Sequence, residues 1–336
     1  MNLPNNSIKK SCLIFAILFF VSVPIVWISL FFTTYQGDLT RVGKWLESDF
    51  GIGGVQQAID TKLLVSSRIQ DADILVIGDS FSENLYWQTQ LIKSGKNVAT
   101  IHWGAIGFIC EDLPIRLKES GFKGQQIIIQ SVERVAENQF EKSVNCVSSK
   151  QITFDSARTG KPIDTSFTGE TFNINGQFLA GLETLYHSAA IRLIPHYPKI
   201  HNFKSTGTHI QSIKDGCLYF TNKLCQYGLF FHEDFKRSSL NSKTIKNIKI
   251  LKDRLNTYKT TWVVIPNKSS IYSDRALFEQ TNQFWEDLEN ARLGPNLYKM
   301  IEKNKSLIKN LYAPNDSHFS TEGYLFIGQT INKYIP

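Results

Sequence analysis

From Cys12 to Phe32 the chain reads CLIFAILFFVSVPIVWISLFF, without one charged residue. At a rise of about 1.5 Å per residue, a helix of that length crosses a hydrocarbon core of roughly 30 Å. No other stretch constrains the chain as strongly, because in lipid a single segment must satisfy its own backbone and therefore has to be helical. Lys9 and Lys10 precede it, and Trp27 and Tyr35 lie toward its far end. By the positive-inside rule the short N-terminus (1–11) stays cytoplasmic, residues 12–33 form the anchor, and the bulk of the chain lies outside. A cleaved signal peptide is the other reading. The apolar run exceeds a usual signal core, however, and FFTTYQG lacks a small-residue cleavage site.

An outer location bears on the five cysteines. Cys12 falls in the span, which leaves Cys110, Cys146, Cys217 and Cys225, an even number that permits disulfides in an oxidising compartment. Cys217 and Cys225 are close enough in sequence to close a small loop, whereas pairing Cys110 with Cys146 is a guess that spacing does not single out. Spacing alone leaves four free thiols open as well. The net charge of +7 and pI near 9.0 come without a basic run interleaved with aromatics, so nucleic acid is not an expected partner. The basic excess between about 190 and 260 suits either a solvated face or an acidic polymer or lipid headgroup.

Residues 34–70 read as a connecting region, in which FGIGG at 50–54 lacks the spacing of a dinucleotide loop. From residue 71 to the end, short apolar runs alternate with helical patterns. DILVIG, NVATIH, QQIIIQS, TTWVVIP and SLIKNLY are strand-like, and helices are expected around 84–93, 111–119, 245–255, 276–304 and 320–334. The pattern predicts an α/β domain with a doubly wound, mostly parallel sheet of about five strands. Residues 140–235, rich in Asn, Ser, Thr, Gly and Phe, interrupt it as an inserted cap.

In open α/β sheets the functional crevice lies beyond the carboxyl ends of the strands. The first strand ends in Gly78-Asp79-Ser80. A serine hydroxyl is a weak nucleophile until a base takes its proton, so the pattern demands a histidine and a carboxylate to orient it. LYAPNDSHFSTEGY, after the last strand-like run, offers Asp316 and His318, which project to the same side of an extended loop. Ser80, His318 and Asp316 are therefore the candidate catalytic residues. The bland alternative is that Ser80 caps a helix and the pair makes loop hydrogen bonds. For a tetrahedral oxyanion, the N–H of Ser80 and that of Gly107, or of Gly104, in WGAIGF are candidate donors. His102 reads as a core or rim histidine. His196, His201 and His209 lack a carboxylate and a fixed spacing, so neither a metal nor any other cofactor is expected.

IGDSFS, WGAIGF and the late Asp-His pair together resemble the SGNH hydrolase superfamily. IIIQSVERV, VVIPNKSSIYSD and LYAPNDSHFSTEGY are similar to the alginate O-acetyltransferase group within it. The resemblance covers about residues 73–134 and 245–334. It implies an SGNH, flavodoxin-like fold, Ser80 as nucleophile, His318 as general base and then acid, and Asp316 as its orienter. It also implies that Glu133 and Arg134 lie near the pocket, although a buried structural ion pair explains them equally well, and that Lys268 and Tyr272 line it. Phe319 stands where the group has tryptophan, QSVER replaces the third-block asparagine, and the Asp-His pair follows the serine rather than preceding it.

The implied activity is O-acyl transfer, of O-acetyl groups in that family group, by a periplasm-facing enzyme held in a bacterial inner membrane through residues 12–33. Its substrate would be an envelope polysaccharide, and its acyl groups would come from a multispanning membrane partner. An esterase of the same superfamily and a non-catalytic glycan-binding scaffold are the alternatives.

Overall fold

In the computed structural model, residues 5–32, 35–148, 154, 156–162, 171–172, 180–193, 207–235, 240–273 and 282–335 are described. Helix α1 (Asn5–Leu30) carries the apolar run, contains Pro24, and from Ser7 to Trp27 is long and apolar enough to cross a bilayer. Its side chains there are exposed rather than packed into a core. Exposure of so apolar a helix separates it from a core helix, whose apolar side chains would be buried.

The centre of the molecule is a four-stranded sheet of β1 (Ile74–Gly78), β2 (Val98–His102), β3 (Gln126–Val132) and a strand at Lys259–Ile265. Their β-branched residues favour a pleated surface buried on both sides. Ile77, Ile129 and Trp262 are each inaccessible to solvent. All pairings are parallel: Ile77 lies beside Ile101 on one side and Ile129 on the other, and Ile129 beside Trp262. The spatial order is second, first, third, fourth, so the chain reverses its direction of travel between β1 and β3. Such a reversal leaves a crevice at the carboxyl ends, because the two crossovers leave in opposite directions.

The strand-like run at 306–312 is not a fifth strand. Leu307 points to solvent, while Asn310, Leu311 and Tyr312 are successively buried. The Asn310 N–H bonds Tyr219 O at 2.7 Å, and its side chain bonds Thr221, so this segment is tied to the insertion instead of to the sheet. Only an isolated bridge, Tyr312 with Phe319, remains. Chain reversal around an Asn at φ 56° satisfies the local backbone without a ladder.

The stretch 34–70 is more than a connector. It forms α2 (Asp38–Gly43) and α3 (Glu47–Phe50); Leu39 and Phe50 from these helices and Trp45 between them bury against Ala190, Ile191, Ile210 and Leu229 of the inserted region in a second, smaller core. Within the insertion, a helix at Ala180–Leu193 and the antiparallel strands Thr208–Ser212 and Tyr227–Phe231 have regular structure that the polar composition conceals. Glu133-Arg134 opens a helix, Glu133–Val144, immediately after β3. Cys110 is joined to Cys146 and Cys217 to Cys225, and Cys12 is free.

Loop-closure entropy assigns the two disulfides different weights. Replacing Cys110 and Cys146 by serine, at a sequence separation of 36, is expected to cost about 4 kcal/mol of stability. The same change at Cys217 and Cys225, separated by 8, is expected to cost about 2.5 kcal/mol. Thermal melting of the two double variants is expected to show the larger drop for the first.

Candidate functional site

At the end of β1 the chain has to turn sharply beside β3. A Cβ on Gly78 would overlap the Ser82 hydroxyl and crowd Gln130 Oε1 at 2.8 Å, so glycine is needed there for close approach. Asp79 is extended and caps the short helix Ser80–Glu83, accepting from Phe81 N–H at 3.0 Å. Its other bonds cross to β3: it accepts from Gln130 Nε2 at 2.9 Å and Val132 N–H at 2.6 Å, and its own N–H donates to Gln130 Oε1 at 3.0 Å. Asp79 thus joins the two strands at the reversal point and leaves Ser80 half-buried at the first helical position. There the backbone N–H has no intrahelical acceptor.

The other half of the site is the loop 313–318. Lys268, at the start of the helix Lys268–Tyr272 that follows the fourth sheet strand, is fully inside. Its ammonium donates to the carbonyls of Ala313 at 2.7 Å, Pro314 at 3.0 Å and Asp316 at 3.0 Å. Burial draws its pKa down to about 7, against the attraction of Asp316, Asp38 and Asp234. Held this way, the loop turns Asp316 and His318 toward β1. His318 Nε2 lies 2.8 Å from Ser80 Oγ, and its Nδ1 lies 2.7 Å from Asp316 Oδ1. The imidazole ring packs on Phe81, centroid to centroid 4.5 Å, and Phe81 in turn packs on Phe319.

The electrostatics follow from this contact. Burial alone would raise the Asp316 pKa, but bonds from His318, the imidazole's charge and the Asp38 N–H together hold it well below the usual carboxylate range. Burial alone would lower the His318 pKa, yet the carboxylates of Asp316 and Asp38 push it above the ordinary value. By linkage, the histidine's contribution to stability is full below about pH 6.5 and is lost as pH rises through its raised folded pKa. That of Asp316 is present above the ordinary aspartate pKa and lost as pH falls through its depressed one.

Ser80, His318 and Asp316, distant in sequence, are therefore brought together. Three other expected site residues have interior roles instead. Glu133 accepts from Asn267 N–H at 2.8 Å and Ser270 Oγ at 2.7 Å inside the protein. Lys268 holds the loop, and Tyr272 is buried among Tyr219, Phe220 and Tyr312. Neither side chain is available as a pocket lining. The Gly107 N–H is donated to Trp103 O at 2.7 Å, closing a turn at φ 75°, so it is committed to the turn rather than to an oxyanion. The Gly104 N–H is likewise used, by His102 Nδ1 at 2.9 Å. Arg134 pairs with Asp234 at 3.1 Å, while its side chain keeps 15% exposure near His318. Burial lifts the Asp234 pKa to about 6, with Arg134 opposing.

His196 and His201 lie outside the described residues. His209 stacks on His232. Asp38, Asp316 and His318 offer three ligand atoms within 4.8 Å of one another. All four carboxylate oxygens of that cluster accept hydrogen bonds from the loop or from Asp38 N–H.

Two residues of the site escape sequence reasoning. Gln130 has a local signal, a polar side chain in the middle of the apolar run IIIQSV. Asp38 has none beyond its place in the first turn of α2. Comparison of the chain with protein families, curated proteins and solved structures finds no match in any of the three.

Replacing Lys268 with methionine keeps the volume but takes the ammonium from three loop carbonyls, of which Ala313 O keeps the Asp316 N–H at 3.3 Å, at about 1–3 kcal/mol for each carbonyl left unpaired. K268M is expected to lose at least about 2 kcal/mol by chemical denaturation and to slow any reaction of Ser80.

Proposed function

We propose that the protein is a membrane-anchored serine O-acyltransferase acting on a cell-envelope polysaccharide. The observation that carries the reading is the continuous hydrogen-bonded line from Ser80 Oγ through His318 to Asp316, with 2.8 Å and 2.7 Å at its two contacts. That line is the arrangement by which a neutral hydroxyl becomes a nucleophile. Its placement beyond the carboxyl ends of parallel strands at a reversal of strand order suits a doubly wound α/β enzyme. The motifs similar to SGNH acyltransferases favour acyl chemistry on a glycan.

In this mechanism Ser80 Oγ attacks the donor's acyl carbonyl while His318 Nε2 takes its proton. The tetrahedral adduct collapses, the donor's leaving oxygen receives that proton, and an acyl-serine remains. A sugar hydroxyl then gives its proton to Nε2 and attacks the ester, and Ser80 leaves with the proton restored. Asp316 keeps the Nδ1 proton in place, so that Nε2 is the basic nitrogen, and stabilises the imidazolium. The Ser80 N–H is a donor to the oxyanion.

The apolar helix with Lys9 and Lys10 on its near side supports an inner-membrane anchor and a periplasmic domain. The two disulfides suit that oxidising compartment. Acyl groups on that side of the membrane have to be delivered across it, which makes a multispanning acyl-exporting protein the expected partner.

Hydrolysis is the second reading, favoured by the partial exposure of the pair: Ser80 is half-buried and the His318 side chain is 23% exposed, within reach of water. Incubating the purified protein with an acyl donor, with and without glycan, separates the two. Transfer is expected to divert acyl groups to the glycan; acyl release that glycan never diverts indicates an esterase.

Ser80→Ala is expected to abolish turnover by at least about a thousandfold while leaving the melting temperature unchanged. Unchanged acylation of the envelope in cells carrying that variant would favour a scaffold role. Because Nε2 must be unprotonated to accept the serine proton, the rate is expected to rise with pH to a plateau. The midpoint is expected above the ordinary histidine value of about 6.5, in the direction of the raised His318 pKa.

A further inference from the structure

The loop carrying Asp316 and His318 is gripped from one side by Lys268. From the other it is gripped by the segment that follows the apolar helix. The Asn315 carbonyl accepts from two backbone N–H groups of α2, Leu39 at 3.1 Å and Thr40 at 3.2 Å. Asn315 Nδ2 donates to Glu47 Oε1, and Glu47 Oε2 accepts from Thr40 Oγ1 at 2.6 Å, so both ends of the contact are buried and paired. Gly37 packs so closely that a Cβ there would overlap the Asn315 carbonyl.

At the centre of the contact is Asp38. Its N–H donates to Asp316 Oδ2 at 3.0 Å. Its carboxylate accepts from Ser317 N–H at 2.7 Å and from Ser317 Oγ at 2.5 Å. Asp38 Oδ2 lies 3.6 Å from His318 Nδ1. One aspartate therefore touches both residues flanking the bond between Asp316 and the imidazole, and presents a second negative charge to the same ring nitrogen. A carboxylate oxygen bonded only to His318 would be free to rotate; Asp316 has its second oxygen fixed by Asp38.

We propose that Asp38 is a positioning residue for the Ser80–His318–Asp316 line, and that α2, supplied by the membrane-proximal segment, is a working part of the site and not a tether. The inference rests on the acyl-serine reading of Ser80. The charged groups facing the imidazole are Asp316 from its own loop, Asp38 from α2 and Arg134 from the helix after β3, with the Lys268 ammonium beneath the loop. Of these, Asp38 is the one that bonds both Asp316 and Ser317 while its carboxylate faces Nδ1.

The test uses the full-length chain in detergent micelles and a fluorophosphonate probe, which reports Ser80 reactivity without needing the natural substrate. Asp38→Asn removes the charge and keeps the shape; Asp38→Ser keeps a polar contact to Ser317 and covers the case in which the first variant does not fold. Melting temperature qualifies each. The expected result is a plateau labelling rate lower by about tenfold to a hundredfold, together with a pH midpoint lower by about one unit, because a carboxylate that favours the imidazolium is gone. Labelling with wild-type rate and midpoint in a folded variant overturns the proposal. So does a slower rate with an unmoved midpoint, which is what a merely structural contact produces. If wild-type and Ser80→Ala proteins label alike, it is the acyl-serine reading that fails, and that outcome is distinguishable because it needs no Asp38 variant.

Discussion

Three carbonyl oxygens of one loop, those of Ala313, Pro314 and Asp316, converge on a single buried ammonium, that of Lys268. Carbonyls pointing the same way repel one another and, out of water, cost free energy unless each has a donor. The lysine supplies all three bonds from one atom, and its own desolvation is offset by them and by the carboxylates of Asp316, Asp38 and Asp234. The geometry of the loop, and with it the direction of the His318 imidazole, depends on this contact. Without it the loop would have to turn its carbonyls outward, and the 2.8 Å approach of Nε2 to Ser80 would be lost.

The serine side of the site is built on a matching polar contact inside an apolar sheet. Gln130, inaccessible in the middle of β3, exchanges hydrogen bonds with both the N–H and the carboxylate of Asp79. Ser82 Oγ donates to Gln130 Oε1 at 2.7 Å and accepts from Trp87 Nε1 at 3.1 Å, extending the network. A buried network satisfied at these points is rigid, because any rearrangement leaves one member unpaired in a low-dielectric interior. Rigidity at Asp79 fixes where the first helical residue, Ser80, can sit. Asp79 beside the serine is thus a structural carboxylate, and Asp316, far away in sequence, is the one that meets the histidine.

How much of this was legible in the chain itself depends on the range of the interactions. The first three strands and the fourth at 259–265 follow from runs such as ILVIG and WVVI, whose apolar, β-branched character is local. SLIKNLY has the same composition, but its Asn310 finds Thr221 and Tyr219 in the insertion, and those tertiary bonds outweigh strand propensity. Lys268 and Tyr272 are expected in the pocket only through the resemblance of VVIPNKSSIYSD to a family stretch, which carries no information on which way a side chain faces. Here one is consumed by loop carbonyls and the other by an aromatic cluster. Gly107 likewise has the right neighbourhood for an oxyanion donor, yet its N–H closes a turn. The inserted region looks irregular because its partners lie far away in sequence: Ile210 and Leu229 bury against α2 and α3, while Phe230 on the opposite face enters the main core.

The sequence by itself determined a helix long and apolar enough to cross a bilayer, the parallel strands, and the residue types that end them: Gly78, Asp79 and Ser80 in one place, Asp316 and His318 in another. Each of these is set by composition and spacing within a few residues, where sterics and hydrophobic periodicity act. Only the tertiary structure decided that Ser80 meets His318, that Lys268 faces inward, and that Asp38 from beside the apolar helix completes the loop. Those contacts join segments from 45 to 279 residues apart, and a hydrogen bond between them exists only once the burial of both cores has placed the backbone to within a few tenths of an ångström.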